Sequence, residues 1–166
     1  MASLMENLID VLGRESTEYE ALLQLSQRKT PIIAGGDLAV IVSGNLEELT
    51  RITDEEQTIA GRVNKLDHKR QEIYADIANV INKDVKTLKL TDLIAMLEKR
   101  PSEQQKLAQT YDRLRAVVQE VKRVNEQNRI LLQNALEMII CCSPEMQHRK
   151  EPIITEALTI PVSSLA

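Results

Sequence analysis

The chain has no tryptophan and no phenylalanine, and its aromatic residues are Tyr19, Tyr74 and Tyr111. With only five glycines and five prolines, it also lacks the turns that a fold of many short strands requires. Cysteine occurs only as Cys141 and Cys142, and adjacent cysteines bridge only with strain, so no disulfide framework is expected. The five glycines stand at positions 13, 35, 36, 44 and 61, none followed by Lys-Ser or Lys-Thr, which excludes a phosphate-binding loop. A serine nucleophile elbow is absent too.

Other absences narrow the setting. The longest uninterrupted aliphatic run, Leu38 to Val42, is far below the roughly 18 apolar residues of a membrane-spanning helix. Glu6, Asp10 and Glu15 interrupt the N-terminal apolar residues, unlike a signal peptide with a basic start. A cytoplasmic location is the expectation, with no membrane insertion. A net charge of -4 and a pI near 5.3 weigh against a nucleic-acid surface. The two histidines give little to metal chemistry. Glu145 and His148 have the Glu-x-x-His spacing of di-iron bundles but lie among prolines, and His68 follows Lys65. Cys141, Cys142 and His148 lack zinc-ligand spacing. No metal, no cofactor and no catalytic residue is expected.

What is present is aliphatic and periodic. Hydrophobic residues make up 43% of the chain, enough for a core. Ser3 and Glu6 have capping-box spacing. Behind them Leu4, Leu8, Val11, Leu12, Tyr19, Leu22, Leu23 and Ser26 share one helical face. Pro31 should end this helix near Lys29. Residues 30 to 45 are punctuated by Pro31, Gly35, Gly36 and Gly44, and Leu38–Val42 behind Asp37 reads as a short helix closing the bundle end, with an extended strand-like segment or a docking loop as the alternatives. From Leu46 the positions 49, 52, 56, 59, 63, 66, 70, 73, 77 and 80 form a seam. Eight of the ten are apolar and Glu56 and Arg70 interrupt it, which is a coiled-coil pattern. Gly61 inside it marks a close helix contact or a flexible point. Residues 83 to 90 read as a connector, with Thr91 or Asp92 capping a short helix that Pro101 ends. Ser102 then caps the last long helix, whose seam runs 107, 111, 114, 118, 121, 125, 128, 132, 135 and 139. Asn125 and Asn128 sit in that seam, and a buried Asn fixes register because only one alignment pairs its amide.

These elements predict an all-α fold, an elongated antiparallel helical bundle or coiled-coil hairpin of three long helices plus one or two short ones. The second and last long helices should pair antiparallel, with the first against the second. The predicted organisation is a bundle over 1–140 and a tail over 141–166, which contains Pro144, Pro152 and Pro161 and has no period.

Three segments resemble flagellar export chaperones of the FlgN family. They are Gly44-Asn45-Leu46-Glu47-Glu48-Leu49 with Ile52-Thr53-Asp54-Glu55-Glu56, then Val124 to Leu132 continuing through Ala135 to Ile139, and Leu8 to Leu12 with Tyr19 to Leu23. The resemblance covers residues 4 to 140 in order and spacing. It implies a cytoplasmic chaperone that binds the C-terminal helices of hook–filament junction proteins, prevents their early assembly, and delivers them to the flagellar type III export gate and its ATPase components. Residues 34 to 41 look inserted relative to the family. The tail lacks the tyrosine that some members use at the gate.

A partner helix would lay an apolar stripe into a groove between chaperone helices. The candidate partner-binding residues are Asn125, Asn128, Leu131, Leu132, Ala135, Leu136, Met138 and Ile139. Leu131, Leu136 and Met138 flank the strict seam and widen its stripe, and methionine adapts to varied surfaces. The alternative is a homo-oligomeric coiled-coil adaptor, such as a homodimer, without a secreted client.

Overall fold

The computed structural model describes residues 2–35 and 46–142. Among them the chain forms four helices and no strand: α1 (Ala2–Ala34), α2 (Leu46–Ile81), α3 (Leu90–Met96) and α4 (Pro101–Cys142). The expected all-α class is what the chain adopts. At 1.5 Å per residue the long helices measure roughly 50, 54 and 63 Å. The helix expected over Leu38–Val42 and the segment from 143 onward lie outside the described residues, as does most of the inserted stretch.

Several helix ends depart from the sequence expectation. α1 does not stop near Lys29 but carries Pro31 inside it and ends at Ala34. An internal proline removes one backbone bond, at about 3 kcal/mol. Burial of Ile33 and the side-chain bonds of Lys29 and Thr30 offset that loss. The last turn closes through the Gly35 amide, which donates to the Pro31 carbonyl at 2.9 Å. α1 also begins at Ala2, so Ser3 lies within its first turn rather than capping it. α3 begins behind Lys89 instead of Thr91 or Asp92, and the Asp92 carboxylate accepts from the Lys89 backbone amide at 3.3 Å. Pro101 opens α4 rather than ending α3. A proline is favoured at that first position because its φ is pre-set and its missing N–H would have had no helical partner.

α2 ends at Asn82, whose φ of 55° is left-handed. The Asn82 amide donates to the Asn79 carbonyl at 3.3 Å and the Lys83 amide to the Ala78 carbonyl at 3.0 Å. This is the Schellman arrangement, with asparagine in the place usually taken by glycine. The α2 seam is buried from Ile52 to Ile77 except at Arg70, which is half-buried; Leu49 is half-buried and Val80 is exposed.

The chain divides into two compact units. Of the described residues, the first unit takes 2–20 and 61–118 and the second takes 21–35, 46–60 and 119–142. The first has an aliphatic core in which Leu8, Leu12, Ile77, Leu93, Leu107 and Leu114 are fully buried. Gln104 ties α3 to α4 by donating to the Ile94 carbonyl at 3.0 Å. α1 lies antiparallel to α2 here, since Glu15 pairs with Arg70 and Glu18 with Arg62.

A polar layer crosses this core. Arg70 Nε donates to Glu15 Oε1 at 3.1 Å, and its Nη2 pairs with Asp67. Burial pushes the Glu15 carboxyl above its ordinary value, with Arg70 opposing. Burial also disfavours the Arg70 cation, but Glu15 and Asp67 together hold its pKa raised. Burial pushes Tyr19 and Tyr74 up to about 12, the Glu15 charge adding to it and Arg70 opposing.

The second unit has fewer buried aliphatic residues, among them Leu22, Leu25, Ile33, Ile52, Ile59, Val121 and Val124, and four buried polar ones. α1 is again antiparallel to α2, with Ser26 bonded to Glu56 and Arg28 to Glu48. Lys29 pairs with Glu56, both almost wholly shielded from solvent. Ser26 Oγ donates to the other Glu56 oxygen at 2.9 Å.

Gly61 is exposed in α2, and a Cβ there would meet nothing within 4 Å. The close-contact reading of this glycine is therefore excluded. Gly61→Ala should raise stability by about 1 kcal/mol in urea titration, the helix-propensity difference.

The tyrosines give a pH test. Their protonated forms stabilise the fold fully below the unfolded value of 10.0, and this is lost as pH rises toward 12. Phenolate absorbance should show Tyr19 and Tyr74 ionising late, and Tyr74→Phe should flatten the fall in stability across that window.

Glu56→Ala should cost about 3–5 kcal/mol, because it strands the Lys29 charge. Lys29→Met combined with Glu56→Leu should recover most of that loss in the same urea assay.

Candidate partner-binding site

The second unit holds the C-terminal part of α4, where the predicted site residues fall. Asn128 is 1% exposed. Its Nδ2 donates to the Ser26 carbonyl at 2.7 Å, and Thr30 Oγ1 donates to its Oδ1 at 2.7 Å. The side-chain amide thus spans two points of α1, one turn apart. With Lys29, Ser26 and Glu56 it completes a layer joining α1, α2 and α4. Asn128 is committed within its own chain, in the register-setting place that a seam asparagine suits. Asn125, one turn earlier, is half-buried.

Beyond Asn128 the helix changes character. Leu131, Leu132, Ala135 and Leu136 are all only half-buried. Ile130 is 46% exposed and Met138 59% exposed. The side chain of Ile139 lies outside the described set. By contrast Val117, Val118, Val121 and Val124, earlier on α4, are buried. Each unit takes the N-terminal part of α1 with that of α4, or the C-terminal part with the C-terminal part, as helices running in one direction do. Only about one turn of α1 remains after Thr30, against almost four turns of α4 after Asn128. α2 begins in the same unit with Leu46, which is 60% exposed, and Leu49, half-buried.

The flanks of this stripe are charged and internally paired. Arg123 binds Glu120 through two bonds of 2.9 and 2.7 Å, and Arg129 binds Glu126 in the same way. These hydrogen bonds hold the Glu120 and Glu126 carboxyls below the usual range. Paired charges spaced three apart on a helix face add modest support to the helix.

The structure thus brings Leu131, Leu132, Ala135 and Leu136 together as a half-open aliphatic surface, with Met138 beyond it. Asn128 precedes that surface on the same helix and is bonded to α1. Sequence reasoning missed Lys29 and Thr30, the α1 partners of the polar seam positions. The signal was present in part: Glu56 and Asn128 interrupt otherwise aliphatic seams, and a buried polar side chain requires a partner. No feature of α1 alone marked Lys29, which the Pro31 reading placed at a helix end.

Among the described residues no group of three or more His, Cys, Asp and Glu side chains is placed to hold a metal ion. No described helix is long and apolar enough to cross a membrane. Comparison with curated proteins and with solved structures finds no match. Residues 1–149, however, match the model of the family described as FlgN protein. That span takes in all four helices, both polar layers and the half-open stripe of α4. The chain belongs to the FlgN family, a family of flagellar export chaperones rather than of enzymes.

Proposed function

We propose that this chain binds the C-terminal helices of hook–filament junction proteins in the cytoplasm, keeps them from assembling, and passes them to the flagellar type III export gate and its ATPase components. The bundle over 1–140 is the binding domain, with α4 running on through Cys142 into the remainder of the chain. The observation that carries the reading is the half-buried aliphatic run on α4 after Asn128, with Met138 exposed. A client helix supplies a complementary stripe at three- and four-residue spacing and covers Leu131, Leu132, Ala135, Leu136, Met138 and Ile139. Asn125 lies at the rim and offers its amide to the client. Asn128 sets the register that presents the stripe.

The physical task needs no bond chemistry. A chaperone that binds only the unassembled client lowers the free concentration available for assembly by mass action. An aliphatic groove suits this work, because it grips several helices of similar pattern without demanding one sequence. The same exposed stripe would also serve a second copy of this chain in a coiled-coil adaptor, and the experiment separates the two.

Calorimetric titration with C-terminal helix peptides of the junction proteins should show saturable binding, absent with a scrambled peptide. Leu132→Asp or Leu136→Asp should weaken it at least about tenfold, equivalent to about 1.4 kcal/mol. Circular dichroism should show the variant still helical. No binding, with a stable self-assembled oligomer that the same substitutions dissociate, would establish the adaptor instead.

A further inference from the structure

The first unit contains a cavity of about 310 Å³ that the client-binding reading does not use. It lies where α2, the connector after Asn82, the start of α3 and α4 come together. Val85, Leu88 and Leu90 supply apolar lining, and Arg70, Tyr74, Lys89 and Tyr111 supply polar groups. The lining includes two cations and no carboxylate.

Two further observations bear on what fits there. The connector reverses the charge of the chain. Lys83, Lys86 and Lys89 face only Asp84 within it, in a protein whose net charge is -4. None of the three lysines forms an ion pair among the described residues. Asp84 is engaged in the turn itself, its carboxylate accepting from the Lys86 backbone amide at 2.9 Å. Arg70 is balanced by Glu15 and Asp67, so among the described residues the cavity cation with no ion-pair partner is Lys89, whose backbone amide bonds the Asp92 carboxylate.

The two phenols are the second observation. Both tyrosine residues line the cavity, and neither hydroxyl has a hydrogen-bond partner among the described residues. Burial pushes Tyr74 up to about 12, so at neutral pH it keeps its proton and remains a donor. Donors beside an ammonium and an aliphatic floor match a carboxylate carried next to an aliphatic side chain. The turn continues this chemistry outward, with Val85 43% exposed. A phosphate backbone would require a larger excess of cations than Lys89 and its two neighbours supply.

We propose that this cavity is a second docking site, for an acidic segment of a partner protein. An Asp or Glu side chain of that segment is held by Lys89, Tyr74 and Tyr111, and an adjacent aliphatic side chain lies over Leu88 and Leu90. The site is independent of the α4 stripe, so a client and an acidic partner need not compete for the same side chains.

The test is an amide NMR titration of the full chain with the blocked peptide Ac-Leu-Glu-Glu-Leu-NH2 and its Gln-for-Glu counterpart. Saturable shifts at residues 85–90 are expected with the acidic peptide, and binding about tenfold weaker with the neutral one. Lys89→Glu should weaken the acidic peptide to a similar extent, and Tyr111→Phe several-fold, with the dispersion of the spectrum retained. Leu132→Asp should leave the titration unchanged. Absence of saturable shifts at 85–90, or equal affinity for the two peptides, would overturn the proposal. Loss of binding in Leu132→Asp would overturn its independence from the aliphatic stripe of α4.

Discussion

Lys29 and Glu56 face each other almost without solvent where three helices meet, and the rest of the second unit is arranged around them. Removing two charges from water costs several kcal/mol for each, and their mutual attraction repays this only when the remaining polar atoms also find partners. Here they do. Ser26 takes the second oxygen of Glu56, Asn128 takes the Ser26 carbonyl, and Thr30 takes the oxygen of Asn128. No buried side-chain nitrogen or oxygen among the described residues is left without a partner. A one-turn slip of α4 would break two of these bonds and strand an amide, which makes the layer a register lock.

Such a lock matters more here than in an ordinary core. With no tryptophan and no phenylalanine, the helices pack through Leu, Ile and Val of similar size. Aliphatic seams of that kind are nearly interchangeable along their length, so packing alone discriminates poorly between registers. The Glu15–Arg70–Asp67 group plays the corresponding part in the first unit. Both layers pair α1 with α2, and Asn128 adds α4. Where the polar layer ends, the position of each later α4 residue is already decided.

That consequence links packing to the proposed activity. Leu131, Leu132, Ala135 and Leu136 continue the pattern of a buried seam, yet they are only half-covered. A half-covered aliphatic seam held in fixed register is what a helical client can complete, and it resembles the interior it extends. The cavity beside the connector offers a different chemistry, with Lys89 and the phenols of Tyr74 and Tyr111 added to aliphatic lining. A carrier with one surface for a helix and another for an acidic segment can hold two partners of unlike composition, because neither surface satisfies the other's ligand.

The sequence by itself determined the helices. Spacing of three and four in α2 and α4 was legible without structure, as were the interruptions at Glu56, Arg70, Asn125 and Asn128. The match of residues 1–149 to the FlgN family agrees with the resemblance read from Gly44 to Glu56 and from Val124 to Ile139. Helix ends were read less well. Local backbone preference makes Pro31 a stop and Pro101 an end, because it takes no account of burial or of which side of a junction a proline serves. Tertiary structure alone decided that α1 continues past Pro31, that Lys29 is the counterion of Glu56, and that Asn128 faces its own α1 while the residues after it lie half-open. Periodicity reports which side chains share a face. Which neighbour covers that face depends on contacts between residues some 30 to 100 positions apart, and these have no local signature.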